Sequence, residues 1–130
     1  MNVPENQKLQ EVATKLCEIL RIQDWDITVR SVSAYEFEHT TGFDVTTCGA
    51  ADRNVRLNKA TIYLNADVED NWYETLVHEL LHIQSTPLIH CAKAYFQEDH
   101  SYFTDLYEQF TEKQAQVFCK LYPVTNFESI

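Results

Sequence analysis

Apolar residues recur at helical spacing from the start of the chain. Leu9, Val12, Leu16, Ile19 and Leu20 share one side of a helical wheel, which predicts an amphipathic helix over Glu5 to Ile22. The pattern then switches to alternation, and Trp25-Asp26-Ile27-Thr28-Val29-Arg30 reads as a half-buried strand. Ser31 to Gly42 is polar and reads as a loop. Phe43 to Ala51, rich in Thr, Val and Phe, predicts a second strand, followed by a charged turn from Asp52 to Asn58. Ala60-Thr61-Ile62-Tyr63-Leu64-Asn65 alternates most clearly and predicts a third. A helix follows. Asn71 with Glu74 three residues on forms a capping box, with Asp67 and Asp70 as alternative caps. Tyr73, Leu76, Val77, Leu80, Leu81 and Ile83 supply its apolar face, and Pro87 ends it or follows soon after its end. A last helix is expected over Ser101 to Leu121, with Phe103, Leu106, Phe110, Val117 and Leu121 turned to the core and Pro123 as its stop. The order predicts an α+β fold: an N-terminal helix, a small, mostly antiparallel sheet of about three strands, and two or more helices packed on it, residues 1–130 forming a single domain.

Composition narrows the function classes. The 130 residues carry a formal charge of −10, which opposes a dedicated nucleic-acid binder and is compatible with a cationic peptide substrate. No apolar run is long enough to span a membrane. The opening MNVPENQKLQ lacks the basic start and apolar stretch of a secretory signal, so a cytoplasmic setting is expected. Cys17, Cys48, Cys91 and Cys119 lie far apart without a CxxC pair and read as free buried thiols.

The chemistry concentrates in His78-Glu79-Leu80-Leu81-His82, an HExxH motif within the most strongly predicted helix. Residues four apart share a helix face, so the two imidazoles can converge on one cation. Glu79 lies beside His78 around the helix, where its carboxylate can reach a water on the metal. Zinc brings the pKa of such a water near neutral, and the carboxylate can take its proton during attack on a carbonyl. Leu80 and Leu81 are core residues on this reading.

A catalytic zinc site ordinarily has a third protein ligand. A metzincin would carry a histidine six residues after His82, but that position is Leu88, which excludes the class. His90 and His100 remain without a defined spacing. Glu108 and Glu112 lie four apart on the last helix, among apolar residues, where a metal and the groups around it can compensate two carboxylates.

Glu108-x-x-x-Glu112 on a helix downstream of HExxH resembles the gluzincin arrangement. The resemblance implies Glu108 as the third zinc ligand and Glu112 as the acidic residue that orients His78 or His82. More widely, Trp25 to Phe118 resembles small metallopeptidases of phages and prophages and the minimal archaeal gluzincins. The shared order is Trp-Asp-Ile-Thr-Val, Ala-Thr-Ile-Tyr-Leu-Asn, Glu-Thr-Leu-Val-His-Glu-Leu-Leu-His, then the Glu-x-x-x-Glu helix. Glu112-Lys113-Gln114-Ala115 is also similar to ImmA-type phage regulators, an alignment that places the matching glutamate at Gln114. Larger gluzincins stabilise the transition state from a further subdomain that the chain is too short to contain. Tyr95, His100 or Tyr102 are the local substitutes. In zincins generally, the edge strand before the HExxH helix pairs with substrate, and Ala60 to Asn65 is either the corresponding strand or an ordinary strand of the sheet.

These residues lead to a zinc peptidase acting on peptide or protein substrates, in the host cytoplasm where phage-encoded, with Zn2+ as cofactor. The alternative is a zinc-binding regulatory or interaction module without activity. Retention of Glu79 opposes it, because a structural site has no use for that base. A metal-free interaction protein is the third reading, separated by metal analysis. The tail, Val124 to Ile130, offers Phe127 and Ile130 as apolar anchors and is expected either to fray or to lie along the Ala60 to Asn65 strand and restrain the cleft.

Overall fold

The computed structural model describes residues 3–68, 71–95 and 100–128; side chains at 91, 93–95 and 100–103 lie outside this description. The architecture is α+β, with five α-helices and a three-stranded mixed sheet among the described residues. Helix α1 (Asn6–Leu20) buries Leu9, Val12, Ala13, Leu16, Cys17 and Leu20. Ile19, expected in that face, is partly exposed, because Ala13 and Cys17 lie nearer the centre of the stripe. Arg21 in the left-handed region closes the helix, its N–H reaching the last carbonyls.

Strand β1 (Asp26–Val32) buries Ile27, Val29 and Val32. Its outer edge is covered by α1 side chains. Gln10 donates to the Ile27 carbonyl at 2.9 Å and accepts from the Val29 N–H at 3.0 Å, while Asn6 Oδ1 accepts from the Ser31 N–H at 2.8 Å. Edge backbone groups that would otherwise invite another strand are thereby satisfied.

The segment from Ser31 to Gly42 is not a loop. Its first two residues complete β1, and Ala34–Thr41 forms helix α2. Ser33 accepts from the Glu36 N–H at 3.2 Å, Phe37 is fully buried, and Gly42 at φ +79° ends the helix. Ser33-x-x-Glu36 is a capping signal of the kind that marks the later helix. One buried ring suffices to dock this short helix, so no long apolar period precedes it.

Strand β2 (Gly49–Asn54) starts later than expected and runs into the predicted charged turn. Phe43 to Cys48 is a loop instead. Asp44 folds back on the Thr46 N–H and hydroxyl, and fully buried Asn65 holds the Val45 and Thr47 carbonyls at 2.8 and 3.1 Å. Strand β3 (Lys59–Asn65) pairs with β1 in parallel and with β2 antiparallel, in the order β1-β3-β2. The Ala60 to Asn65 strand is therefore central, not an edge. Ala60, Ile62 and Leu64 are buried under α1 and α3 on one face, and half-buried Tyr63 packs toward α2 on the other. The outer edge belongs to β2.

Helix α3 (Trp72–Gln84) begins at the Asn71–Glu74 capping box: Asn71 Oδ1 accepts the Glu74 N–H at 3.2 Å, and its amide donates to the Glu74 carboxylate at 3.1 Å. Of the alternative caps, Asp67 instead accepts the Ala34 N–H, and Asp70 lies outside the described residues. All six predicted core residues of α3 are buried. Pro87 falls in the first turn of a separate helix, α4 (Thr86–Tyr95), where its missing N–H is harmless.

Helix α5 (His100–Leu121) departs most from its pattern. Leu106, Phe110, Val117 and Leu121 are 46%, 60%, 57% and 69% exposed, and the Phe103 side chain lies outside the described residues. Thr111 and Ala115 are buried instead, with Tyr107, Phe118 and Cys119 partly so. The tail does not reach the sheet edge within the described residues. Val124–Phe127 forms a 3-10 turn, and Phe127 is buried against Tyr73, with its carbonyl accepting from Lys8 Nζ at 2.6 Å. Ser129 and Ile130 lie outside the described residues.

Candidate metal centre

Helical spacing places His78 and His82 one turn apart on α3, with their Nε2 atoms 3.0 Å from each other. Helix α5 brings a carboxylate to both. Glu108 lies 3.0 Å from His82 Nε2 and 3.4 Å from His78 Nε2. The remaining nitrogens point outward to partners. Glu112 sits 2.9 Å from His78 Nδ1, and the Tyr107 hydroxyl 2.9 Å from His82 Nδ1. Tyr107 is itself held by Ser85 at 2.5 Å, whose hydroxyl also donates to the Leu81 carbonyl.

With the Nδ1 atoms turned to Glu112 and Tyr107, both Nε2 atoms face the Glu108 carboxylate. In a tetrahedral zinc site, bonds of about 2.1 Å put neighbouring donor atoms about 3.4 Å apart; the separations here are 3.0, 3.0 and 3.4 Å. Burial pushes the His82 pKa down to about 4, with the His78 and Arg53 charges adding to it, so the imidazole stays in its metal-binding neutral form. The donor set is one that could hold a divalent ion with nitrogen and oxygen ligands.

Glu79 lies beside these atoms. One ligand atom each from His78, Glu79 and His82 falls within 4.8 Å of the others. Its side chain is 9% exposed and has no hydrogen-bond partner among the described residues. Burial raises its pKa to about 7, opposed by His78 and Arg53 and supported by the Glu108 charge. A carboxylate near neutrality can both take and return a proton.

Two cavities, of about 480 and 450 Å³, flank these groups and share Gly49, His78 and Glu79. Together they make a trough between β2 and the α3–α5 pair. Gly49 lets β2 approach closely: a β-carbon there would lie 2.6 Å from Thr75 Cγ2. The stiff rotamers of a β-branched neighbour leave it little room to yield.

The five residues anticipated from sequence, His78, Glu79, His82, Glu108 and Glu112, are thus brought together. His90 lies with Arg53, Val55 and Thr86 around a separate cavity, and the side chains of Tyr95, His100 and Tyr102 lie outside the described residues. Tyr107, Ser85, Gly49 and Arg53 were not anticipated. Tyr107 directly precedes Glu108, and its place beside that pair was the available signal. Arg53 donates to Thr86 Oγ1 at 3.1 Å and the His82 carbonyl at 3.4 Å, contacts with no local sequence signature. Of the thiols, Cys17 is buried, Cys119 is partly so, and Cys48, expected inside, is exposed on the trough rim; Cys91 falls outside the described side chains.

Comparison with models of protein families, with curated proteins and with solved structures finds no match. Among the described residues no helix is long and apolar enough to cross a membrane.

Proposed function

We propose that the protein is a zinc-dependent peptidase of the HExxH type, with His78, His82 and Glu108 as metal ligands and Glu79 as general base. The convergence of three donor atoms beside a buried, unpartnered carboxylate carries this reading. A zinc ion held by His78, His82 and Glu108 would supply Lewis acidity, which would acidify a water and polarise the substrate carbonyl. Glu79 takes the proton of the attacking water and returns it to the leaving amine, with no covalent intermediate. Glu112 and Tyr107 position the two imidazoles through Nδ1 and select the tautomer that presents Nε2. The outer edge of β2, unpaired among the described residues, lies along the trough and suits an extended peptide.

Elemental analysis and cleavage of a broad peptide library test the proposal together. The expected result is one zinc per chain and hydrolysis that Glu79→Gln abolishes while zinc and fold remain. Zinc bound without any hydrolysis, and no difference between wild type and Glu79→Gln, would leave a regulatory zinc module instead. Protein that takes up no zinc would end both readings.

A further inference from the structure

The trough is polarised by charge. The cavity on one side of Gly49 is lined by Glu74, Glu112 and Glu79, with Asn71 and Thr47, and no lysine or arginine among the described residues lines it. The other side carries Arg53, beside Phe43 and Tyr107, and also Glu108, whose carboxylate is turned to the two imidazoles. In a chain with a formal charge of −10, a guanidinium at the site is not background. Arg53 has no carboxylate partner within ion-pairing distance among the described residues, and its two hydrogen bonds go to the neutral oxygens of Thr86 and His82 through Nη1 alone. The rest of its planar fork remains for a carboxylate, which it matches in geometry. Between the two ends lies Glu79, nine-tenths buried, without a hydrogen-bond partner among the described residues and shared by both cavities, a group that a bound ligand would engage.

The sheet edges agree on where that ligand runs. Side chains of α1 cover β1, whereas β2 lies last in the sheet order and borders the trough from Gly49 to Arg53. Four residues of strand span about 13 Å, so an extended peptide crossing Glu79 passes both charged ends within a few residues.

We propose that the trough selects peptides of mixed charge, taking a lysine or arginine side chain at the Glu74–Glu112 end and a carboxylate at the Arg53 end, on opposite sides of the bond facing Glu79. This specificity rests on the peptidase reading. The carboxylate is either an acidic side chain or the peptide's own C-terminus.

The test uses the zinc-loaded full chain and fluorescein-labelled alanine octapeptides. They carry lysine, glutamate, both in either order, or neither, each with free and amidated C-termini. Binding is read by fluorescence anisotropy and cleavage separately by mass spectrometry. One order of the mixed-charge pair should bind at least tenfold more tightly than the neutral peptide. Arg53→Gln should remove the gain from the carboxylate alone, and Arg53→Lys should restore part of it. Glu74→Gln, which keeps an amide able to serve the helix cap, should reduce the gain from lysine alone. A gain that survives amidation assigns the anion to the glutamate side chain, and one lost on amidation assigns it to the C-terminus. Binding that ignores charge, gains that persist in both variants, or no binding by any peptide overturns the inference. Cleavage without charge preference would sink it and leave the peptidase reading standing. Selective binding without cleavage would do the reverse.

Discussion

Helices α3 and α5 face each other across the candidate metal centre, yet they relate hydrophobicity to burial in opposite ways. Helix α3 buries its large apolar side chains and carries Glu79 and His82 inside with them. Helix α5 turns Leu106, Phe110, Val117 and Leu121 outward and Glu108 and Glu112, half exposed, toward the histidines. Its inward side is made of Tyr107, Thr111 and Ala115, small or polar-tipped residues that allow close approach, with Phe118 and Cys119 partly buried beyond them. Hydrophobic area alone therefore does not choose the inward face. Partners for the two Nδ1 atoms and the absence of bulk at positions 111 and 115 characterise the observed face. The opposite face of α5 would bury more apolar area and bring no carboxylate to the imidazoles.

Metal binding should show the largest effects, on both helices. His78→Ala or His82→Ala should abolish zinc uptake, and Glu108→Ala should weaken it more than Glu112→Ala. Loss of an orienting group costs roughly 10- to 100-fold in affinity, and loss of a ligand more. Competition titration with a zinc chelator measures this; a larger loss for Glu112→Ala would exchange the two roles.

Next in size is the core of α3. Leu80 is fully buried. Leu80→Ala should cost about 2–5 kcal/mol in denaturant unfolding. A loss within experimental scatter would show that α3 is not the structural centre of the fold.

The buried ionisable groups of α3 should mark the pH profile of the metal-free protein. Burial raises Glu79 from 4.5 to about 7, so the folded state keeps a proton that the unfolded chain has released, and stability falls as pH rises through that window. Burial lowers His82 from 6.5 to about 4, so the unfolded chain binds the extra proton, and stability is lost as pH falls through that window. The two slopes oppose each other between 4.5 and 6.5. Glu79→Gln removes one of them. Its stability without metal should rise by about 1.4 kcal/mol per pH unit across this range, where the wild type stays nearly flat. Denaturant unfolding at stepped pH checks this, and a flat profile in the variant would contradict it.

The smaller effects belong to α5. Ala115 is fully buried, and Ala115→Leu should cost about 1–3 kcal/mol by forcing the helices apart, with zinc affinity falling alongside. Phe110 is largely exposed, and Phe110→Ser should change stability by no more than about 0.5 kcal/mol. Were Phe110→Ser the costlier of the two, the inward face of α5 would have to be reassigned.

What the chain determined by itself is local and periodic. The Asn71–Glu74 cap, the apolar face of α3 and the shared face of His78 and His82 each follow from spacings within a few residues, which the helix imposes whatever surrounds it. The α+β class and the outline of α1, β1 and β3 follow for the same reason. Helix α2 escaped because one buried Phe37 has no period, although Ser33 and Glu36 carried its cap. The tertiary structure decided the rest. Whether Ala60 to Asn65 is an edge or a centre depends on which strands come to lie beside it, a matter of partners distant in sequence. Exposure of Phe110 and burial of Ala115 depend on what stands opposite α5, and Arg53 reaches the site only because β2 closes over α3 at Gly49. A spacing rule describes one element, whereas the faces that meet are chosen by the steric and polar demands of two.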